Sequence, residues 1–321
     1  MILAVSTSKN LSSPAKGYRG RFAPSPTGPL HAGSLVAALG SWLDARKNGG
    51  QWLLRIEDLD LPRCTPGADQ QIQSQLLACG LSWDEGIIYQ SQRETAYQRA
   101  FERLNGLNCL YSCTCSRQTI ANTLEKLGIH TPRNQEMVYP GTCRPATVEP
   151  ANFLGNYMDD FGDLKKAWRI ALPKNCQIAF EDLDLGSQSQ DLNTELGDFV
   201  LRRSDGLFTY QLAVVVDDAE QGINHIVRGN DLLSNTARQI YLQELLGYSR
   251  PTYRHLPLVL DEHGEKLSKQ TLATQINTQD EKHALLELRK AAIHLGLKDL
   301  PDGEDTTIAE WLLAATRAWR I

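Results

Sequence analysis

The stretch that most constrains this chain runs from Gly20 to Ser34: Gly20-Arg21-Phe22-Ala23-Pro24-Ser25-Pro26-Thr27-Gly28-Pro29-Leu30-His31-Ala32-Gly33-Ser34. Its apolar start, Gly20 to Ala23, predicts a short buried strand. Prolines and glycines then force a turn, because proline fixes φ and glycine accepts strained backbone angles. The amphipathic run Ser34–Arg46 follows with helical spacing. A strand, a tight turn and a helix N-terminus together make an anion site, since unpaired N–H groups and the helix dipole face the ligand. His31 stands at its mouth, able to donate to a phosphate oxygen. Gly33 leaves room for a flat ring or a ribose against the backbone. An ordinary strand-to-helix connection with one histidine would show the same local features.

The chain continues as alternating strands and helices. Gln51–Ile56 predicts a second parallel strand ending in Glu57-Asp58-Leu59-Asp60, acids at the rim where open α/β sheets bind ligands. Asp58 and Asp60 read as a solvated acidic turn. Helices are expected from Pro66 to about Cys79, and from Gln90 to about Asn105 with Ala96, Tyr97, Ala100, Phe101 and Leu104 on one face. From Cys109 to about Leu192, turn formers dominate and an insertion within the sheet domain is expected. It carries Cys113-Thr-Cys115 and Tyr139-Pro-Gly-Thr-Cys143, which suit either a zinc ion or buried free thiols. Further strands are expected at Ala167–Leu172, Asp198–Arg202, Leu207–Val216, Ile223–Gly229 and Leu256–Leu260. Asn230-Asp231 should cap a helix reaching Leu246. Two helices, near 279–295 and 307–320, close the chain.

Composition limits the partners. The chain has 321 residues and a net charge of −5, so bulk charge does not announce a nucleic-acid binder and any RNA contact needs a local basic face. No apolar run approaches the roughly 20 residues of a membrane span. The N-terminus lacks a signal-peptide core, and residues 1–17 are expected to form a flexible tail. Seven cysteines, an odd number without a secretory signal, suggest reduced thiols in a cytoplasmic protein.

The first stretch resembles the "HIGH" signature of class I aminoacyl-tRNA synthetases, here His31-Ala32-Gly33-Ser34. Ser34 departs from the usual second histidine and is given no catalytic part. The preceding Arg-Phe-Ala-Pro-Ser-Pro-Thr-Gly is similar to the glutamyl branch, as is Arg55-Ile56-Glu57-Asp58. Lys266-Leu267-Ser268-Lys269-Gln270 resembles the second signature, "KMSKS". Two such elements in order, far apart in one chain, are together specific. The resemblance covers about residues 18 to 300.

It implies an α/β fold with a Rossmann-type parallel core (residues 18–108 and 193–265), an inserted acceptor-binding, zinc-containing subdomain (109–192), and a KMSKS-like loop with short C-terminal helices (266–321). It implies ATP contacts at His31, Gly33, Lys266, Ser268 and Lys269, with His31 and Lys269 catalytic and Mg²⁺ on the phosphates. L-Glutamate would meet Arg21, Phe22, Ala23, Pro24, Ser25, Glu57, Tyr210 and Arg228, with Arg21 and Arg228 on carboxylates and Glu57 on the α-ammonium group. One structural zinc would be held by Cys113, Cys115, Tyr139 and Cys143, with His130 or Cys109 as substitutes for the tyrosine. With only residues 271–321 after the second signature, no anticodon-binding domain is expected. That matches the short-form members of the branch, which activate glutamate without tRNA and attach it to queuosine in the anticodon loop of tRNA(Asp). A truncated ordinary glutamyl-tRNA synthetase and a non-catalytic RNA-binding paralogue are the alternatives. A monomer is expected.

Overall fold

The computed structural model describes residues 17–132, 136–148, 166–259 and 274–320. The expected tail therefore lies outside the described residues except for Gly17. Strand β1 (Arg19–Phe22), helix α1 (Ala32–Lys47), β2 (Gln51–Ile56), α2 (Ala68–Ala78) and β3 (Ile88–Tyr89) form the first unit. In it β1 and β3 flank β2, all parallel. Helix α3 (Glu94–Gly106) and β4 (Leu110–Cys113) lead to α4 (Arg117–Lys126). Then come β5 (Ala167–Ile170), the hairpin β6 (Gln177–Asp182) and β7 (Gly186–Asp191), the short α5 (Leu192–Glu195) and β8 (Phe199–Arg202). The second unit holds α6 (Tyr210–Glu220), β9 (His225–Gly229), α7 (Leu233–Leu245) and β10 (Thr252–Leu256), followed by α8 (Glu281–His294) and α9 (Ile308–Ala318).

Strand β10 pairs parallel with β9 and with β6. Reciprocal bonds join β1 to the residue preceding β9: Arg19 N–H donates to Asn224 Oδ1 at 2.8 Å, and Asn224 N–H to the Arg19 carbonyl at 3.1 Å. The two parallel units thus abut at β1 and β9, where a crevice opens beyond the strand ends. Strands β4, β5 and β8 form a separate antiparallel sheet.

Period-two alternation explains the layers. On β2, Trp52, Leu54 and Ile56 pack with Leu39 and Leu43 of α1, Leu288 of α8 and Trp311 of α9. Leu53 points the other way, into a core with Tyr97 and Phe101 of α3, Val214 of α6 and Ile240 of α7. Helix α3 buries the five residues that its spacing predicts. Gly40 of α1 allows close packing on β10, since a Cβ there would lie 2.6 Å from a Leu256 methyl.

Four local expectations need correction. Leu207–Val216 is not a strand, because Tyr210 begins α6. Leu212 to Asp218 are all buried, so no polar face betrayed the helical period and the three valines suggested β structure. The last parallel strand is Thr252–Leu256 rather than Leu256–Leu260. Buried Arg254 and His255 hid its apolar pattern, and Pro257, lacking an N–H, follows it. Asp58 is not solvated: its oxygens accept from Ser91 N and Oγ at 2.8 and 2.7 Å. A 3-10 turn, Asn230–Leu232, precedes α7, which has no side-chain cap. No helix among the described residues is long and apolar enough to cross a membrane.

Candidate active site

A cavity of about 490 Å³ opens where β1 and β9 meet. Its wall includes Arg21, Phe22, Ala23, Pro24 and Ser25 after β1, and His31 and Gly33 at the start of α1. Glu57 after β2, Tyr210 at the start of α6, and Arg228 on β9 complete the expected set. Every residue expected to meet ATP or glutamate within the described chain therefore lines one space. Lys266, Ser268 and Lys269 lie outside the described residues. The flanks of that segment both reach the site: Val259 lines the cavity, and Gln275 forms a β-bridge with His31.

His31 is the N-cap of α1. Its Nδ1 accepts from Ser34 N–H at 3.4 Å, while Ser34 Oγ accepts from His31 N–H at 2.8 Å, a reciprocal capping box. An accepting Nδ1 places the ring proton on Nε2. Ser34 thus sets the tautomer of the His31 ring.

Charge around the cavity is ordered in depth. Arg21 donates Nε and Nη2 to Asp218 at 3.0 and 3.3 Å. Asp218 also accepts from Arg55 at 2.8 Å, and Arg55 Nη2 lies 3.5 Å from Glu57 Oε1. Burial raises the Asp218 carboxyl, but Arg21 and Arg55 outweigh it and hold the group below the usual range. Glu57 behaves oppositely. Burial pushes its carboxyl up to about 7, against the pull of Arg55 and Arg21 and with repulsion from Asp218 and Asp217. Arg228 donates to His255, Gln239 and Thr236. Sequence reasoning missed Asp218 and Arg55 as a buried pair behind the cavity, and Asp231 on its wall. The adjacent acids Asp217 and Asp218, closing a buried apolar run, were the available signal.

A second cluster lies in the insertion. The Sγ atoms of Cys113, Cys115 and Cys143 fall within 4.8 Å of one another and can hold a metal ion. Tyr139 Oη stands 3.4 Å from Cys113 Sγ and 3.8 Å from Cys115 Sγ. Cys109 and His130 are not among the residues brought together there. Arg169 lies over the Tyr139 ring at 3.7 Å and donates to Cys113 Sγ at 3.4 Å. Burial raises the Cys115 thiol to about 11. Cys143 is instead lowered to about 7, because donors at Thr114, Cys115 and Tyr139 overcome burial. Three thiols offer the soft sulfur donors that zinc takes, with the harder phenol oxygen of Tyr139 beside them.

A doubly wound sheet whose crevice sets a helix N-terminus beside two arginines and a glutamate defines a class I synthetase catalytic core. The model of the tRNA synthetases class I (E and Q) catalytic domain matches residues 18–297, and the chain belongs to that family of ligases. It is 51% identical over 308 residues to the glutamyl-Q tRNA(Asp) synthetase of Burkholderia cenocepacia strain HI2424, covering 94% of this chain and 96% of that protein. A protein of the same name from Cupriavidus metallidurans is 51% identical over 305 residues, covering 94% and 91%. Among solved structures, the glutamate tRNA ligase of Elizabethkingia meningosepticum in complex with its amino acid superposes with a TM-score of 0.71 at 26% identity. That superposition covers 92% of this chain but only 64% of the ligase. Methionyl-tRNA synthetase of Mycobacterium tuberculosis, at 12% identity and a TM-score of 0.51, shares the fold.

Proposed function

We propose that this protein activates L-glutamate with ATP, independently of tRNA, and transfers the glutamyl group to the queuosine base in the anticodon loop of tRNA(Asp). The observation that carries the activation step is the convergence of His31, Arg21, Glu57, Tyr210 and Arg228 on one cavity at the N-terminus of α1. The transfer step is supported by the relatives of that name, which match nearly end to end.

In activation, a glutamate α-carboxylate oxygen attacks the α-phosphorus of ATP. An acyl–phosphate bond forms, the α–β phosphoanhydride bond breaks, and pyrophosphate leaves. No protein nucleophile is needed, so catalysis consists of positioning and stabilisation of negative charge. His31 Nε2–H and the α1 N-terminus serve the phosphates, and Gly33 leaves space for the nucleoside. Lys269, with Lys266 and Ser268, would approach from the segment whose flanks meet at the cavity. Mg²⁺ bound to ATP would supply neutralisation of phosphate charge. Glu57 as carboxylate takes the α-ammonium group, and Arg228 with Arg21 and Tyr210 takes the carboxylates. Cys113, Cys115, Cys143 and Tyr139 would hold one structural zinc that orders the insertion toward tRNA. The thiols require the reducing conditions of the cytoplasm.

Glutamate-dependent exchange of pyrophosphate into ATP without tRNA tests the first step. Exchange is expected, followed by transfer of labelled glutamate to queuosine-containing tRNA(Asp). Exchange that requires tRNA, with label on the terminal ribose, would identify an ordinary synthetase instead. No exchange would identify a silent paralogue.

A further inference from the structure

We propose that Asp182 and His255 form a buried relay that positions Arg228 and keeps its charge free of a counter-carboxylate, so that the cavity accepts an acidic side chain and rejects its amide. This rests on the glutamate reading above and adds two residues that do not line the cavity.

The two cavity arginines differ in what holds them. Arg21 is paired with Asp218, an acid it shares with Arg55. Arg228 is buried, yet Nε goes to His255 Nε2 at 3.1 Å, Nη1 to Gln239 Oε1 at 2.8 Å and Nη2 to Thr236 Oγ1 at 2.9 Å. These partners are neutral, and among the described residues no carboxylate pairs with it. The Tyr253 ring, 5.8 Å away, adds a favourable face without adding charge. A buried guanidinium satisfied in its hydrogen bonds but not in its charge favours an anionic ligand over an isosteric amide.

The relay crosses three neighbouring strands. Arg228 on β9 is the register partner of His255 on β10, and Asp182 closes β6 on the far side of β10. His255 accepts from Arg228 at Nε2 only while its proton sits on Nδ1. Asp182 Oδ2, 2.6 Å from Nδ1, receives that proton's hydrogen bond. The carboxylate cannot rotate freely. Its Oδ1 accepts from the backbone N–H groups of Asp184, Leu185 and His255 at 3.1, 3.1 and 3.3 Å. Three backbone donors therefore fix the acid, the acid fixes the tautomer, and the tautomer fixes Arg228 Nε. The imidazole also works as a spacer. Direct contact with Asp182 would give Arg228 a counter-charge of its own, as Asp218 gives one to Arg21.

The test compares glutamate and ATP kinetics of exchange in the wild type and three variants. In Asp182→Asn the backbone donors hold the amide oxygen at the Oδ1 position, so the amide nitrogen faces His255 Nδ1. The ring proton must then move to Nε2, donor against donor with Arg228. The KM for glutamate is expected to rise about tenfold or more, with kcat and the KM for ATP changing less than about threefold. His255→Leu should do the same. His255→Gln, which can accept from Arg228 and donate to Asp182, should restore the KM to within about threefold of wild type. Thermal melting verifies the fold of each variant, and the isosteric Asp182→Asn decides the matter if the leucine variant does not fold. An unchanged glutamate KM in folded Asp182→Asn overturns the relay, as does a parallel rise in both KM values. A wild-type protein without glutamate-dependent exchange overturns the functional reading itself, a separate outcome visible before any variant is made.

Discussion

Glu57 and Asp218 show how little the residue type alone decides. Both are acids beside the same two arginines, yet one is held up to about 7 and the other is held below its usual range. Asp218 receives direct hydrogen bonds from both guanidinium groups, whereas burial dominates at Glu57. The proposed role of Glu57 requires its ionised form, which the free protein loses as pH falls through about 7. The kcat/KM for glutamate should therefore fall about tenfold per pH unit below that point, since this parameter reports the free enzyme. Glu57→Gln should flatten that limb and lower the plateau; a wild-type profile flat from pH 8 to 5.5 would contradict the assignment. For Lys269→Ala, a loss in kcat for exchange on the order of 100-fold is expected with the fold intact by melting, because a charge proposed to stabilise the transferring adenylyl group would be removed. Near-normal exchange would remove Lys269 from the mechanism.

At the scale of elements, helix α6 and the insertion carry the main lessons. Helix α6 is packed on several sides, so its sequence lacks the polar stripe by which surface helices are recognised. In the insertion, Tyr139 reaches the thiols because its own backbone is clamped: Tyr139 N–H donates to the Leu196 carbonyl at 3.1 Å. Gly197 beside that carbonyl has φ +71°, and a Cβ there would lie 2.5 Å from the Tyr139 backbone carbonyl oxygen. Gly197→Ala must shift the tyrosine backbone and also bear about 1–2 kcal/mol for the left-handed conformation. The expected result is a lower melting temperature and lower zinc retention in protein purified without added metal, read by elemental analysis. Removing zinc with a chelator from the wild type should likewise lower the melting temperature. Full metal occupancy in the glycine variant would show that Tyr139 is not a ligand.

At the scale of the whole molecule, Asp44 fastens regions that are distant in sequence. It is 2% exposed, accepts from Tyr18 Oη at 2.6 Å and Trp319 Nε1 at 2.8 Å, and forms an ion pair with Arg254 Nη1 at 3.2 Å. These groups belong to the approach to β1, to the residue after α9, and to β10. Lys47 Nζ and Arg254 Nη1 also donate to the carbonyls of Arg317 and Arg320 at 2.7 and 2.8 Å. The C-terminal segment is thus tied to α1 and to β10. Asp44→Ala strips two buried donors of their acceptor and buried Arg254 of its counter-charge, and should cost about 3–5 kcal/mol of stability, measured as a lower urea midpoint. The KM for glutamate should hold in the folded fraction, since Asp44 does not line the cavity. A midpoint within experimental error of wild type would show that the fastening contributes little.

The features legible from the amino-acid order are local. The strand–turn–helix from Gly20 to Arg46, the five-residue face of α3 and the two closing helices follow from patterns within one element, which neighbouring residues suffice to express. The first signature and the Cys113-Thr-Cys115 pair were legible for the same reason. Three-dimensional packing is what makes Tyr210 start a helix, turns Asp58 toward Ser91 instead of water, and lets Asp182 act on Arg228 through His255. Those outcomes depend on what packs against each residue from elsewhere in the chain. Burial on several sides erases periodicity, and a hydrogen bond between strands leaves no mark on the spacing within either one.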